Sequence, residues 1–243
     1  MPNRSSLVHR LSAAGDSRMV KDNKPRKMRL SANPTADALA DLRIGDIVYL
    51  DGTVYTAREG VYKRVLEDGI AMPMDLPADS AANFHCSPAA TQHDDGSFDL
   101  GAVTATASFR FSKWIGPWLA ASGAKLIIGK GGMSSKDYLE HFVPHGAIYL
   151  TTVGYGTGAL LGRGVKQVSN LHWKKELGLA QAMWVLDVEN FGPFIVESDL
   201  DGNSLFEREN ARISASLDKV YEGTRPAVLK RFGETDDRSD EMI

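Results

Sequence analysis

Lys125-Leu126-Ile127-Ile128-Gly129-Lys130-Gly131-Gly132-Met133 runs on through Ser134-Ser135 to Phe142 and then to Ala147-Ile148-Tyr149-Leu150-Thr151-Thr152-Val153, and the reading of this stretch decides the fold. The first and last apolar runs are short and rich in β-branched residues, as buried strands are. Ser134-Ser135 are helix caps, and Ser135 to Phe142 can form one short helix between the two strands. The alternation continues on both sides. Upstream, Trp114 to Ser122 has helical spacing and stops at Gly123. Downstream, Ala159 to Val165 reads as a helix, Phe194 to Asp199 as a last strand, Asp201-Gly202-Asn203 as a turn, and the residues beyond Phe206 as a helix through Tyr221. Strands alternating with helices indicate an α/β fold in which helices cover a sheet.

The N-terminal part is read less directly. Leu42 to Thr56 alternates around β-rich types with Asp51-Gly52 in its middle, the pattern of a β-hairpin, and Arg58 lies just beyond its second strand. Gly60 to Asp68 can be a helix carrying Val61, Val65 and Leu66 on one side, and Pro73 and Pro77 then break the chain. Residues 83–103 resist assignment. Residues 1–36 form a basic polar leader, expected to be disordered, with a cleaved organelle presequence as the alternative. The folded domain is expected over 37–210, and 211–243 as a C-terminal helix followed by a flexible acidic tail.

Composition narrows the function. The 243 residues are 43% hydrophobic and 24% charged, with no apolar run near the ~18 residues of a membrane helix and no signal peptide, so a soluble cytoplasmic chain is expected. A formal charge of −3 argues against nucleic-acid binding. Cys86 is the only cysteine, which excludes an internal disulfide and any iron–sulfur cluster held by three or four thiolates of this chain alone. It reads as a buried structural cysteine.

Several motifs weaken on inspection. Gly123 to Gly129-Lys130 has one residue too many for a phosphate-binding P-loop. Gly156-Thr157-Gly158-Ala159-Leu160-Leu161-Gly162 is one residue long for a dinucleotide fingerprint. His141 and His145 are four apart, but Pro144 interrupts a regular helix, and His85, Cys86 and His93 lack a fourth ligand. Three cations say more. Arg58, Arg110 and Lys130 each stand where an apparent strand meets a loop, and a cation there is costly unless an anion meets it. Two planar guanidinium forks and one ammonium could grip a small dicarboxylate. Ordinary ion pairs with neighbours such as Glu59 or Asp99 would explain the two arginines equally well.

An ordered set of segments then carries a resemblance. Tyr55-Thr56-Ala57-Arg58-Glu59 with Lys63-Arg64, Thr106-Ala107-Ser108-Phe109-Arg110, Ile128-Gly129-Lys130-Gly131, His145-Gly146-Ala147-Ile148-Tyr149, Glu176-Leu177-Gly178, Val188-Glu189-Asn190-Phe191 and Asp199 to Phe206 are similar, in that order, to segments of one family. It is the family of the C-terminal half of class I fumarases and the β subunit of L(+)-tartrate dehydratase. The resemblance implies a swivelling β/β/α domain that works with an α subunit or N-terminal domain carrying a [4Fe–4S] cluster, and reversible dehydration of a small 2-hydroxy dicarboxylate. It assigns Arg58, Arg110 and Lys130 to substrate carboxylates, and Thr106 and Lys130 to catalysis. No metal ligand is implied in this chain. The family's Gly-Pro is Thr104-Ala105 here, its second Thr is Ala107, its Met is Phe111, and a helix His is Tyr62. These departures point to a changed substrate, with Phe109 and Phe111 as an apolar wall for a branched or aryl-bearing acid. A paralogue that has lost turnover and acts as a binding or assembly subunit is the competing reading.

Overall fold

Strand β6 (Leu126–Gly129) explains the architecture, because its neighbours in sequence face opposite ways. Leu126 and Ile128 belong to one hydrophobic cluster and Ile127 to another, all fully buried. The same split recurs at Ile148 and Leu150 against Tyr149 on β7 (Ile148–Thr152), and at Val54 against Tyr55 on β2 (Ile47–Thr56). A strand with two apolar faces needs a layer on each side. A computed structural model describes residues 24–222, apart from 77 and 155.

Within that span the chain forms the expected mixed α/β architecture. In order come β1 (Lys27–Ser31), α1 (Ala36–Ala40), β2, and α2 (Glu59–Tyr62), which runs into a π-helical turn over Lys63–Glu67. Next are β3 (Ala82–Phe84), the antiparallel pair β4 (Cys86–Gln92) and β5 (Phe98–Ala105), a 3-10 turn over Ser108–Phe111, α3 (Ser112–Ser122) and β6. Then follow α4 (Ser135–Asp137), a π-helical turn Tyr138–Phe142, α5 (Val143–His145), β7, α6 (Thr157–Gly164), β8 (Val165–His172), α7 (Lys174–Gln181), β9 (Met183–Ser198) and α8 (Leu205–Tyr221).

The main sheet closes on itself. Strands β2, β3, β6 and β7 run parallel in that order, and β9 pairs antiparallel with β7 through Phe194 to Ser198 and with β2 through Val185 to Ile195. The ring β2-β3-β6-β7-β9 is therefore continuous, and a closed ring leaves no central edge unpaired. β1 extends β2 in parallel, and β8 extends β9. One cluster, with Val54, Phe84, Ile128, Leu150, Trp184 and Phe194, also takes in Val103 of β5 and Leu161 of α6. The other lies under the helices, with Tyr62, Trp114, Trp118, Tyr138 and Phe142 packed on Tyr55, Ile127 and Tyr149.

Two sequence expectations are corrected. The hairpin over 42–56 is instead the single ten-residue strand β2. Gly52 does take φ +110, but the irregularity is absorbed as register shifts against β9 between Val48 and Gly52 rather than as a reversal. Asp51 is held in place by Arg29 of β1 and by the backbone N–H of Asn190 at 2.8 Å. Order also begins earlier than residue 37, since Lys27–Ser31 pairs with Lys27 opposite Ile47. Arg26 there donates through Nε to Asp46 at 3.0 Å. The leader over 1–23 and the acidic tail over 223–243 lie outside the described residues. No helix among the described residues is long and apolar enough to cross a membrane.

Candidate active site

The four parallel strands of the ring all deliver their C-terminal ends to one end of the molecule, and the loops there carry the predicted residues. Arg58 follows β2 and caps α2, His85 follows β3, and Lys130 follows β6. The turn after β5 reaches the same place by main-chain bonds. Thr106 N–H donates to the His85 carbonyl at 2.6 Å, Lys130 N–H to the Thr106 carbonyl at 3.1 Å, and Ser108 N–H to the Lys130 carbonyl at 3.2 Å. Ala107 and Lys130 thus form a parallel bridge. Thr106 and Lys130, 24 positions apart in number (130 − 106), are neighbours in space, with Arg110 at the end of the same short turn.

Charge binds Arg58 to this group. Burial pulls its guanidinium below the usual arginine range, and the positive charge of Arg110 pushes the same way. One Arg58 Nη1 donates to the Ala180 carbonyl at 2.9 Å, whereas its buried Nε–H meets no acceptor among the described residues. The carboxylates that could have neutralised the arginines are engaged elsewhere. Glu59 pairs with Lys63 at 2.7 Å, and Asp99 lies 2.9 Å from His93. Among the described residues, none of Arg58, Arg110 and Lys130 has a carboxylate within ion-pair distance. Arg58 is half-buried and Arg110 and Lys130 are exposed, so this end of the ring presents positive charge to solvent without a carboxylate partner among the described residues.

Beside Lys130 opens a cavity of about 340 Å³, lined by Val103, Thr104 and Ala105 of β5, Thr152 of β7, and Gly154, Gly156 and Gly158 around the start of α6. The nucleotide reading of that glycine-rich loop lacks the strand it needs. β9, antiparallel, occupies the place beside β7 where a dinucleotide fold would set the next parallel strand. His141 packs its ring on Gly116, and His145 Nδ1 lies 2.7 Å from the His141 carbonyl.

The apolar wall expected from Phe109 and Phe111 does not form. In the 3-10 turn these two residues point to different sides: Phe109 is 66% exposed, whereas Phe111 is buried. The Phe111 ring meets His85 edge-on at 4.7 Å and Tyr62 at 5.7 Å.

Below the cations lies a polar chain that the sequence did not reveal. The Asn83 amide meets Tyr62 Oη at 2.7 Å, and Tyr62 Oη meets His85 Nε2 at 2.6 Å. His85 Nδ1 meets Ser108 Oγ at 2.7 Å, and Tyr149 donates to the same oxygen at 2.6 Å. Burial, helped by the nearby Arg58 charge, pulls the His85 imidazole down to about 3, so it is neutral at physiological pH. Burial likewise pushes the Tyr62 and Tyr149 phenols and the Cys86 thiol up. The signal available in sequence was the placing of polar residues at strand ends, Asn83 on β3, His85 just after it and Ser108 in the turn. Nothing local marked them as mutual partners.

The Lys130 loop is fixed from its other side too. Met133 N–H donates to Tyr138 Oη at 2.8 Å, and Tyr138 in turn donates to the buried carboxyl of Glu197, which Ser204 also meets at 2.5 Å. Ser134 caps α4 in a reciprocal capping box with Asp137.

Comparison with known proteins identifies the family. The family profile of the fumarase C-terminus matches residues 6–209. A putative L(+)-tartrate dehydratase subunit beta of Methanocaldococcus jannaschii is 35% identical over 182 residues, covering 74% of this chain and 91% of that protein. The L(+)-tartrate dehydratase subunit beta of Escherichia coli K12 is 31% identical over 189 residues, 77% of this chain and 90% of the subunit. A putative class I fumarate hydratase of Geobacillus stearothermophilus is 29% identical over 205 residues, which take up 84% of this chain but only 38% of that protein. The chain therefore belongs to the fumarase C-terminal family.

Proposed function

We propose that this chain is the β-type subunit of an iron–sulfur hydro-lyase that reversibly dehydrates a small 2-hydroxy dicarboxylate, of the fumarate or tartrate kind, together with an α subunit. The observation that carries the reading is the half-buried Arg58, with an orphaned donor and the Arg110 charge nearby, at the same end of the ring as Lys130 and without carboxylate partners among the described residues. A retired site would have no use for a half-buried guanidinium with an unpartnered donor. This favours turnover over a purely assembling role.

The residues of this chain do not fit a [4Fe–4S] cluster. Cys86 is its one thiol, it is 1% exposed and its protonated form is favoured, and no group of three or more possible metal ligands occurs among the described residues. The cluster is assigned to the α subunit. In the reading proposed, the two guanidinium forks hold one substrate carboxylate and Lys130 the other. Thr106 supplies the hydroxyl for proton transfer at the carbon next to the leaving group, and the adjacent Lys130 charge steadies the developing anion.

The test is to purify the full chain alone and after anaerobic co-expression with its α subunit. The single chain should be colourless and inactive, and the complex should hydrate or dehydrate C4 2-hydroxy diacids. Cluster absorbance in the single chain, or a cluster-loaded complex inactive on every such acid, would overturn the proposal.

A further inference from the structure

Substrate binding does not account for the enclosed chain Asn83–Tyr62–His85–Ser108–Tyr149, all of whose members are fully buried. It resembles a nucleophile with its base only by distance. Ser108 Oγ is sealed against Gly129, where even an added methyl carbon would come within 2.0 Å of it, and the far nitrogen of His85 meets a phenol rather than a carboxylate. Such a chain is more stable the fewer of its buried polar groups lack a partner, so the order of its protons is physically meaningful.

A neutral imidazole leaves two orders open, the Tyr149–Ser108 link aside, since reversing that link in the first only moves the orphaned hydroxyl proton onto Tyr149. In the first, the Asn83 NH₂ donates to Tyr62, Tyr62 to Nε2, and Nδ1–H to Ser108. Ser108 then receives a second hydrogen from Tyr149, its own hydroxyl proton has no acceptor within hydrogen-bond distance among the described residues, and Asn83 Oδ1 is also left alone. In the second, every link runs one way: Tyr149 to Ser108, Ser108 to Nδ1, Nε2–H to Tyr62, and Tyr62 to the oxygen of an Asn83 amide turned by half a revolution. Amide and ring orientations of this kind are fixed by the network and not by the heavy-atom positions. The second order leaves one unpartnered group, the Asn83 NH₂, in place of two.

We infer that His85 is a positioning residue: protonated on Nε2 and accepting from Ser108 at Nδ1, it locks the Thr106–Arg110 turn against the Lys130 loop. It grips the turn twice, through its carbonyl at Thr106 N and through its ring at Ser108, whose N–H is bonded to Lys130. The spacing of the hydroxyl and cations of the site is set from beneath. The kinetic consequence rests on the function proposed above, whereas the tautomer does not.

The experiment has two arms. Nitrogen-15 NMR of imidazole-labelled full-length chain, between pH 5 and 8, should show a His85 ring that stays neutral with its proton on Nε2. In the assembled enzyme, Ser108→Ala should lower kcat at least tenfold, because sub-ångström misplacement of binding groups is expensive in rate. Leu39→Ala, a core truncation in α1 before the start of β2, serves as a control for lost stability and should leave kcat within about twofold. A proton on Nδ1, a titrating imidazolium, or equal kcat in the two variants would overturn the inference. If Ser108→Ala does not fold, the tautomer decides. A wild-type complex without turnover would instead refute the functional reading and leave the spectrum to judge His85.

Discussion

Gly129→Ala tests the site and the fold together. A Cβ at this position would stand 2.0 Å from Ser108 Oγ, 2.7 Å from Tyr149 Oη and 3.3 Å from Ser108 Cβ. None of these atoms can retreat freely, since the Ser108 hydroxyl is bonded to His85 at 2.7 Å and to Tyr149 at 2.6 Å. Overpacking a filled core costs about 1–3 kcal/mol, and leaving one buried hydrogen-bonding group unpaired costs about 1–3 kcal/mol more. The middle of these ranges is about 4 kcal/mol, which for a domain of this size lowers Tm by roughly 8–16 °C. Gly131→Ala is the control. Nothing lies within 4 Å of its added carbon, and with φ +72 its cost is only the left-handed backbone, about 1–2 kcal/mol. Thermal unfolding of the full-length chain followed by circular dichroism gives both values. If Gly129→Ala melts at or above Gly131→Ala, Ser108 does not lie under β6 and the account of the site fails.

Lys130→Met and Arg110→Lys should each cost at least a hundredfold in kcat/KM of the assembled enzyme while Tm stays nearly unchanged, because neither residue has an ion pair to lose among the described residues; loss of several degrees would mark these cations as structural. Asp46 should contribute to acid stability. Burial alone would raise its pKa, but Arg26 and the Arg43 N–H hold it below the usual carboxylate range, so its contribution is complete above about pH 4 and fades as pH falls through the lowered value. Asp46→Asn should therefore lose stability at pH 7 and approach wild type near pH 2, and a pH-independent difference would count against the pairing. Glu197, raised by burial, has the opposite sign: its contribution is complete at low pH and is lost as pH rises through its folded value, so Glu197→Gln should flatten the fall in stability that begins as pH rises above the ordinary carboxylate range.

The legible parts of the sequence were those written in local pattern. β6, β7, α3 and α6 appear within a residue or two of where periodicity and caps place them, and the ordered motifs bring Arg58, Thr106, Arg110 and Lys130 to one end of the ring. What escaped depends on partners far along the chain. Asp51-Gly52 reads as a turn until β9 arrives opposite it, and Lys27–Ser31 looks polar and unstructured until β2 supplies its ladder. Residues 83–103 hold the buried end of β3 and a hairpin whose outer face is exposed, so no single period runs through them. His85 was legible as a histidine beside a cysteine. Its role appeared only when Tyr62 and Ser108, each 23 positions away in sequence, closed on its two nitrogens.

The pairing of β2 with β9 also constrains how the protein can be made. Ile47 lies opposite Ile195, so the ring cannot close until nearly the whole domain has left the ribosome. Until then the nascent chain holds β2 and β7 with bare ladder groups on strands whose side chains are apolar on both faces, the combination most prone to join a neighbouring chain. Pairings this distant also form slowly. Translation halted before Met183 would release a sticky fragment rather than a smaller working domain, and slower synthesis or chaperone capture during that interval should raise the soluble yield.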